Sequence, residues 1–167
     1  MAHEHLRLPL SVISQGDAMR LRRELAVLDE YIKQAELREP GTSIKALPKT
    51  STSLSEFTQD NHLNMLKEED RANATEFLKS ISEHAPVIHI SFASDPSAAF
   101  MRKLAAWFRE SIDPAILVNV GLEPSIAAGF TIRTLNRYHD FSLRQQFVEH
   151  RELLLNGIRG TAKQAKT

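Results

Sequence analysis

The chain contains no cysteine. Disulfides, thiol nucleophiles, cysteine-ligated zinc and iron–sulfur clusters are therefore excluded, and a reducing cytoplasm suits such a chain. Glycine is scarce at six residues, and none stands in the Gly-x-x-x-x-Gly-Lys spacing of a phosphate-binding loop. A Gly-x-Ser-x-Gly elbow and a His-Glu-x-x-His zinc pair are missing as well. Aromatic residues make up only 7%, so a core must rest mainly on Leu, Ile, Val and Ala. No charge predominates: 21 basic residues balance 21 acidic ones, which argues against a nucleic-acid partner needing a clustered positive field. No run approaches the roughly 18–20 apolar residues that span a bilayer. The opening MAHEHLRLPLSV lacks the charged and apolar regions of a secretory signal. A soluble protein that meets a membrane only through partners is expected.

Within 167 residues, 42% hydrophobic and 25% charged, there is material for an ordinary buried core. A first helix is expected from about Ser14 to Arg38, capped by Ser14 or Asp17. Its Ala18, Leu21, Leu25, Leu28, Ile32 and Ala35 alternate spacings of three and four, a heptad seam of under three heptads. So short a seam favours packing within the chain's own domain over a coiled coil with another chain. Glu39 to Ser55, EPGTSIKALPKTSTSLS, reads as a linker because Pro, Gly, Ser and Thr cannot hold a regular element there. A second helical region follows over about Leu54–Glu83, with Ser53-x-x-Glu56 as a capping box and a polar centre, KEEDRAN, at which the helix either breaks or lies largely exposed.

After Pro86 the period changes. Val87 to Ala93 alternates and reads as a strand. A helix follows, capped by Asp95 with Pro96 in its first turn, and Phe100, Leu104, Trp107, Phe108 and Ile112 form its apolar face. AILVNVGLE is a second strand, with Ile116, Val118 and Val120 on one face and Leu117 and Asn119 on the other. Gly129 opens a third, GFTIRTL, and Asn136-Arg137 turns the chain. A last helix is expected from Asp140 or Ser142, burying Leu143, Phe147, His150 or Arg151, Leu154 and Ile158, and stopped by Gly157 and Gly160. The expected fold class is α+β. A helical half (1–85), with its linker at about 39–55, joins a small β-α-β-β-α domain (86–160).

Catalytic groups do not assemble from this pattern. His3 and His5 lie in an N-terminal tail with no further ligands at suitable spacing, so no metal site is expected. His89 sits in a strand with no partner in view, and Trp107 at core spacing reads as packing. His139-Asp140-x-Ser142 fails as a triad, because triad members converge from separate elements. Asp140 and Ser142 suit helix caps instead. Arg20, Arg22 and Arg23, and the tail RGTAKQAKT, read as solvated surface. A small hydrolase using His89 or His139 has little support, and no cofactor is implied.

One stretch carries more. Glu123, Pro124, Ser125, Ile126, Ala128 and Gly129 are followed by Ile132-Arg133 in a strand, then by Asp140, Ser142, Leu143 and Arg144. This resembles the C-terminal domain of the F-type ATP synthase delta subunit, whose mitochondrial counterpart is the oligomycin-sensitivity-conferring protein. The resemblance covers roughly residues 86 to 158. The first half departs from the family's six-helix bundle and shows two long helical segments. What the resemblance implies is a non-catalytic stator subunit at the top of the peripheral stalk, on the cytoplasmic face of the membrane. Its partners would be b-type stalk helices and the alpha and beta subunits of the F1 head. Leu104, Phe108, Leu143, Phe147 and Leu154 are candidate b-docking residues, while Gly129 would serve a close backbone approach. An alternative from another class is a stand-alone adaptor oligomerising through the first helix.

Overall fold

In a computed structural model of the chain, which describes residues 6–38, 48–126, 128–134, 136–143, 148, 150, 151 and 155, the first helix, α1, spans Gln15–Arg38. It begins on a reciprocal cap. Asp17 Oδ2 accepts from the Ser14 N–H at 2.9 Å, and Ser14 Oγ accepts from the Asp17 N–H at 3.2 Å. Two of the four orphan amides of the first turn are thereby satisfied from within four residues. Helix α2 is Thr52–Asp60 and helix α3 is Glu68–His84. The helical region expected at 54–83 is two helices, and the break falls over 61–67, just ahead of the polar centre, where His62 takes a positive φ of 52°. KEEDRAN is the start of α3 and not a polar middle. Its Glu68, Glu69 and Asp70 lie in the first turn, where carboxylates complement the positive end of the helix dipole.

The Ser/Thr cluster assigned to the linker is partly a helix start. Ser51 is the cap of α2, its Oγ accepting from the Leu54 N–H at 3.2 Å. The box expected at Ser53 and Glu56 is not the one used. Ser51 is fixed in turn by Glu24 of α1, which accepts from its N–H and its hydroxyl, both at 2.5 Å. The remainder of the expected linker, 39–47, lies outside the described residues.

Strand β1 is Val87–Phe92, helix α4 Ala98–Ser111, and strand β2 Leu117–Leu122. Ser97, not Asp95, caps α4, accepting from the Phe100 N–H at 3.2 Å. A 3-10 turn at Pro124–Ile126 precedes strand β3, Phe130–Arg133. A further strand, β4 at Tyr138–Asp140, stands where a helix cap was expected. The sheet order is β2-β1-β3-β4, and β3 pairs antiparallel with both β1 and β4. Leu117 N–H donates to the Pro86 carbonyl at 2.9 Å and Glu123 N–H to that of Phe92 at 2.8 Å. Both numbers rise together by the same step, so β1 and β2 are parallel and the sheet is mixed. The fold is α+β, with a helical first half followed by a small sheet and one crossover helix.

The chain groups into two compact units, Met1–Ile88 with Ser97–Asn119, and His89–Pro96 with Val120–Thr167. In this grouping α4 belongs with the helices. The first unit holds the larger core. Ala18, Leu21, Leu25, Leu28 and Ile32 of α1 are buried together with Leu54 and Phe57 of α2, Ala74, Leu78 and Ile81 of α3, and Leu117 of β2. Each buried Leu or Ile contributes about 1.5–3 kcal/mol over leaving it in water. The heptad seam is therefore filled from within, mainly by α3. A strap ahead of α1 joins this core through Leu8 and Val12. Arg109 of α4 holds it, donating to the carbonyls of Pro9 at 2.9 Å, Leu8 at 3.3 Å and Val12. Burial pushes the Arg109 guanidinium below its ordinary value.

One buried charge inside the first unit is paired across helices. Arg71 of α3 is 2% exposed; its Nε donates to Asp29 of α1 at 2.6 Å and its Nη1 to the Met65 carbonyl at 3.0 Å. Lys33 meets the other Asp29 oxygen at 2.8 Å. An unpaired charge at such a site would cost several kcal/mol, so Asp29 fixes how α3 seats on α1.

Candidate docking surfaces

The motif residues gather in the second unit, around one glycine. Gly129 has φ +95°, and a Cβ there would lie 2.4 Å from the Phe141 carbonyl oxygen and 3.0 Å from Ser142 Cα. That backbone approach is sealed on both sides. Phe141 N–H donates to the Phe130 carbonyl at 3.0 Å, and Leu143 N–H to that of Ala128 at 2.9 Å. The Gly129 carbonyl meanwhile accepts from Ala93 N–H at 3.3 Å, just past β1. No L-residue combines that φ with that clearance, which is why glycine stands there.

The neighbouring motif residues make the turn that delivers Gly129. Pro124 and Ser125 form the 3-10 turn, with Ser125 Oγ donating to Glu123 at 2.9 Å. Ile126 is buried. Ile132 is half-buried and pairs with Ile90 on one side and His139 on the other. Arg133 is exposed between His89 and Tyr138. Asp140 closes β4 and accepts from the Ser142 N–H at 2.8 Å. Arg144 lies outside the described residues.

A polar row, His89–Arg133–Tyr138, thus crosses three strands on one sheet face. The other face carries rings: Phe130 stands 5.9 Å from Phe92 and 5.2 Å from Phe141, and His139 stacks on Phe141 at 6.2 Å. Among the described residues no group of three or more His, Asp or Glu is placed to hold a metal.

The five candidate docking residues separate. Leu104 is half-buried and Leu143 is exposed, while Phe147 and Leu154 lie outside the described residues. Phe108 is 3% exposed; it is core and has no surface to offer. Conversely Trp107, expected in the core, is 55% exposed, and Phe100 is 44% exposed. The wheel explains both. At ~100° per residue the apolar stripe of α4 extends over about 160°, wider than a core-facing helix needs. Met101, Ala105 and Phe108 take the buried side, and Phe100, Leu104 and Trp107 follow at i, i+4 and i+7 along the other edge. The excess width was the available signal.

No family model and no curated protein matches this chain. No helix among the described residues is long and apolar enough to cross a membrane.

Proposed function

We propose that the chain is a non-catalytic stator subunit of an F-type ATP synthase, delta-like, joining the F1 head to b-type stalk helices and resisting rotation. It would work on the cytoplasmic face of the membrane, attached through its partner subunits. The observation that carries the reading is the Gly129 closure: the described residues of the family resemblance, from Pro124 to Ser142, build a turn and hairpin held by main-chain contacts at Gly129. A rigid platform is what a mechanical link requires. The second supporting feature is the Phe100–Leu104–Trp107 ridge, whose spacing suits an amphipathic helix laid along α4. On this reading the b-type contact shifts from Phe108 to Trp107. Self-association through the first helix, as an adaptor would need, finds its seam already buried in the chain's own core.

The reading is tested by capturing the tagged chain from its native membranes under mild detergent and identifying what comes with it. Recovery of b, alpha and beta subunits in matched amounts is expected. A chain that emerges alone, or with unrelated proteins, overturns the stator assignment.

A further inference from the structure

The strap ahead of α1 is held mainly by two side chains. Asn61 accepts from the Arg7 N–H at 2.6 Å and donates its own N–H to the Arg7 carbonyl at 2.9 Å. The chain then turns, Val12 N–H donating to the Pro9 carbonyl at 3.1 Å, and Arg109 gathers the carbonyls of Leu8, Pro9 and Val12. Val118 N–H donates to the Ile13 carbonyl at 2.8 Å. Leu8 and Val12 enter the core, while Arg7 and Leu10 stay exposed. Pairing in this contact is incomplete. Arg109 Nε and Ser11 Oγ are both buried without a hydrogen-bond partner, and among the described residues no carboxylate meets the guanidinium. Arg71 of the same unit, by contrast, has Asp29. Buried polar atoms left unpaired favour a state in which water reaches them. Release of the strap would not unravel the helix behind it, because Ser14 and Asp17 cap α1 between themselves.

We propose that residues 7–13 are an autoinhibitory latch: the built-in occupant of a seat that recognises a Leu-Pro-x-x-Val turn, released as a unit while the helices stay folded. The strap itself defines what the seat accepts. Asn61, Arg109 and the Val118 N–H bond only its main-chain atoms, so they read the path of the backbone. Sequence enters through the two apolar side chains, as in peptide recognition generally. It enters also through Pro9, which is buried and whose ring fixes φ at the start of the turn. The two arginines of this unit thus have different tasks. Arg71 locks α3 to α1 through a permanent counter-charge, whereas Arg109 holds carbonyls that can be exchanged for water or for those of another turn. The seat lies wholly within the first unit and is independent of the stator reading.

The test uses the full chain, labelled with nitrogen-15 and followed by hydrogen exchange in urea below the unfolding transition. The Val12 and Val118 amides should exchange together, faster than those of Leu25 and Ile32 and with little dependence on urea, as a local opening does. Leu8→Asp with Val12→Asp removes the apolar anchors of the latch, and that opened chain should keep its helical circular dichroism. The probe is acetyl-Arg-Leu-Pro-Leu-Ser-Val-Ile-amide, with the same residues in the order Pro-Ser-Leu-Val-Arg-Ile-Leu as control. The probe should shift the Val118 amide of the opened chain. It should bind that chain at least ~10-fold tighter than the parent, whose seat is free only part of the time. The control should not bind, and Arg109→Met in the opened chain should abolish binding of the probe. Exchange of Val12 and Val118 only with global unfolding, loss of helix in the opened chain, or equal binding of the control would each overturn the proposal. Protection of Val118 that grows with protein concentration would put a second copy's strap in the seat, and overturns the latch equally.

Discussion

Gly129 and Asp29 are the two residues on which the second and first units most visibly depend. Gly129→Ala adds a Cβ into the Phe141 carbonyl and forces a left-handed φ on an alanine. Strain of that kind costs about 1–3 kcal/mol, and the clash adds to it, so the urea midpoint should fall accordingly. Asp29→Ala leaves Arg71 buried without its carboxylate. Removing one member of such a pair costs about 3–5 kcal/mol, again read from denaturant melts. The double variant Asp29→Ala, Arg71→Met should recover much of the loss, because no uncompensated charge remains inside. A simple sum of two separate losses would mean that the two side chains act independently.

At the scale of one element, α4 divides its apolar residues between two tasks. Phe108→Ala should cost about 3–5 kcal/mol of stability, as buried aromatic truncations do. Trp107→Ser changes an exposed position and should leave stability within about 0.5 kcal/mol. If the ridge receives a stalk helix, the same substitution should weaken that complex by about 2 kcal/mol or more, the range of an interfacial hot spot. Calorimetric titration with b-type helices separates the two effects. Loss of binding in Phe108→Ala alone, with Trp107→Ser unaffected, would place the contact away from the ridge.

For the whole molecule, acid is the informative perturbation. Burial pushes the Asp17 and Asp29 carboxyls upward, but the bonds and charges they receive outweigh it. Ser14 and Arg20 hold Asp17, and Lys33 and Arg71 hold Asp29, below the usual carboxylate range. A carboxylate depressed in the folded state stabilises it fully above the unfolded value of about 3.9, and that contribution is lost as pH falls through the lower folded values. Both groups belong to the helical unit. Urea midpoints should therefore hold near neutrality and fall steeply below about pH 4, and the Asp17→Asn, Asp29→Asn chain should show a flatter profile. An unchanged slope would place the acid sensitivity elsewhere.

Local chemistry made several features legible in the sequence alone. The 3–4 seam of α1, its Ser14/Asp17 start, the alternation of β1 and the need for glycine at 129 each follow from a repeat or a residue whose preference acts over a few positions. Other features were decided only by folding. Three serines lie within five residues at the start of α2, and Glu24 of a distant helix selects Ser51. Tyr138-His139-Asp140 has no apolar alternation, yet it becomes a strand because the Thr134–Arg137 turn, closed at 2.9 Å, brings it against β3. The pattern of α4 marks a wide stripe without saying which side is inward, so Phe108 and Trp107 exchanged their expected places. Periodicity specifies which residues share a face of an element. Which part of that face leaves water depends on the surfaces that meet it, and those are assembled from residues far apart in the chain.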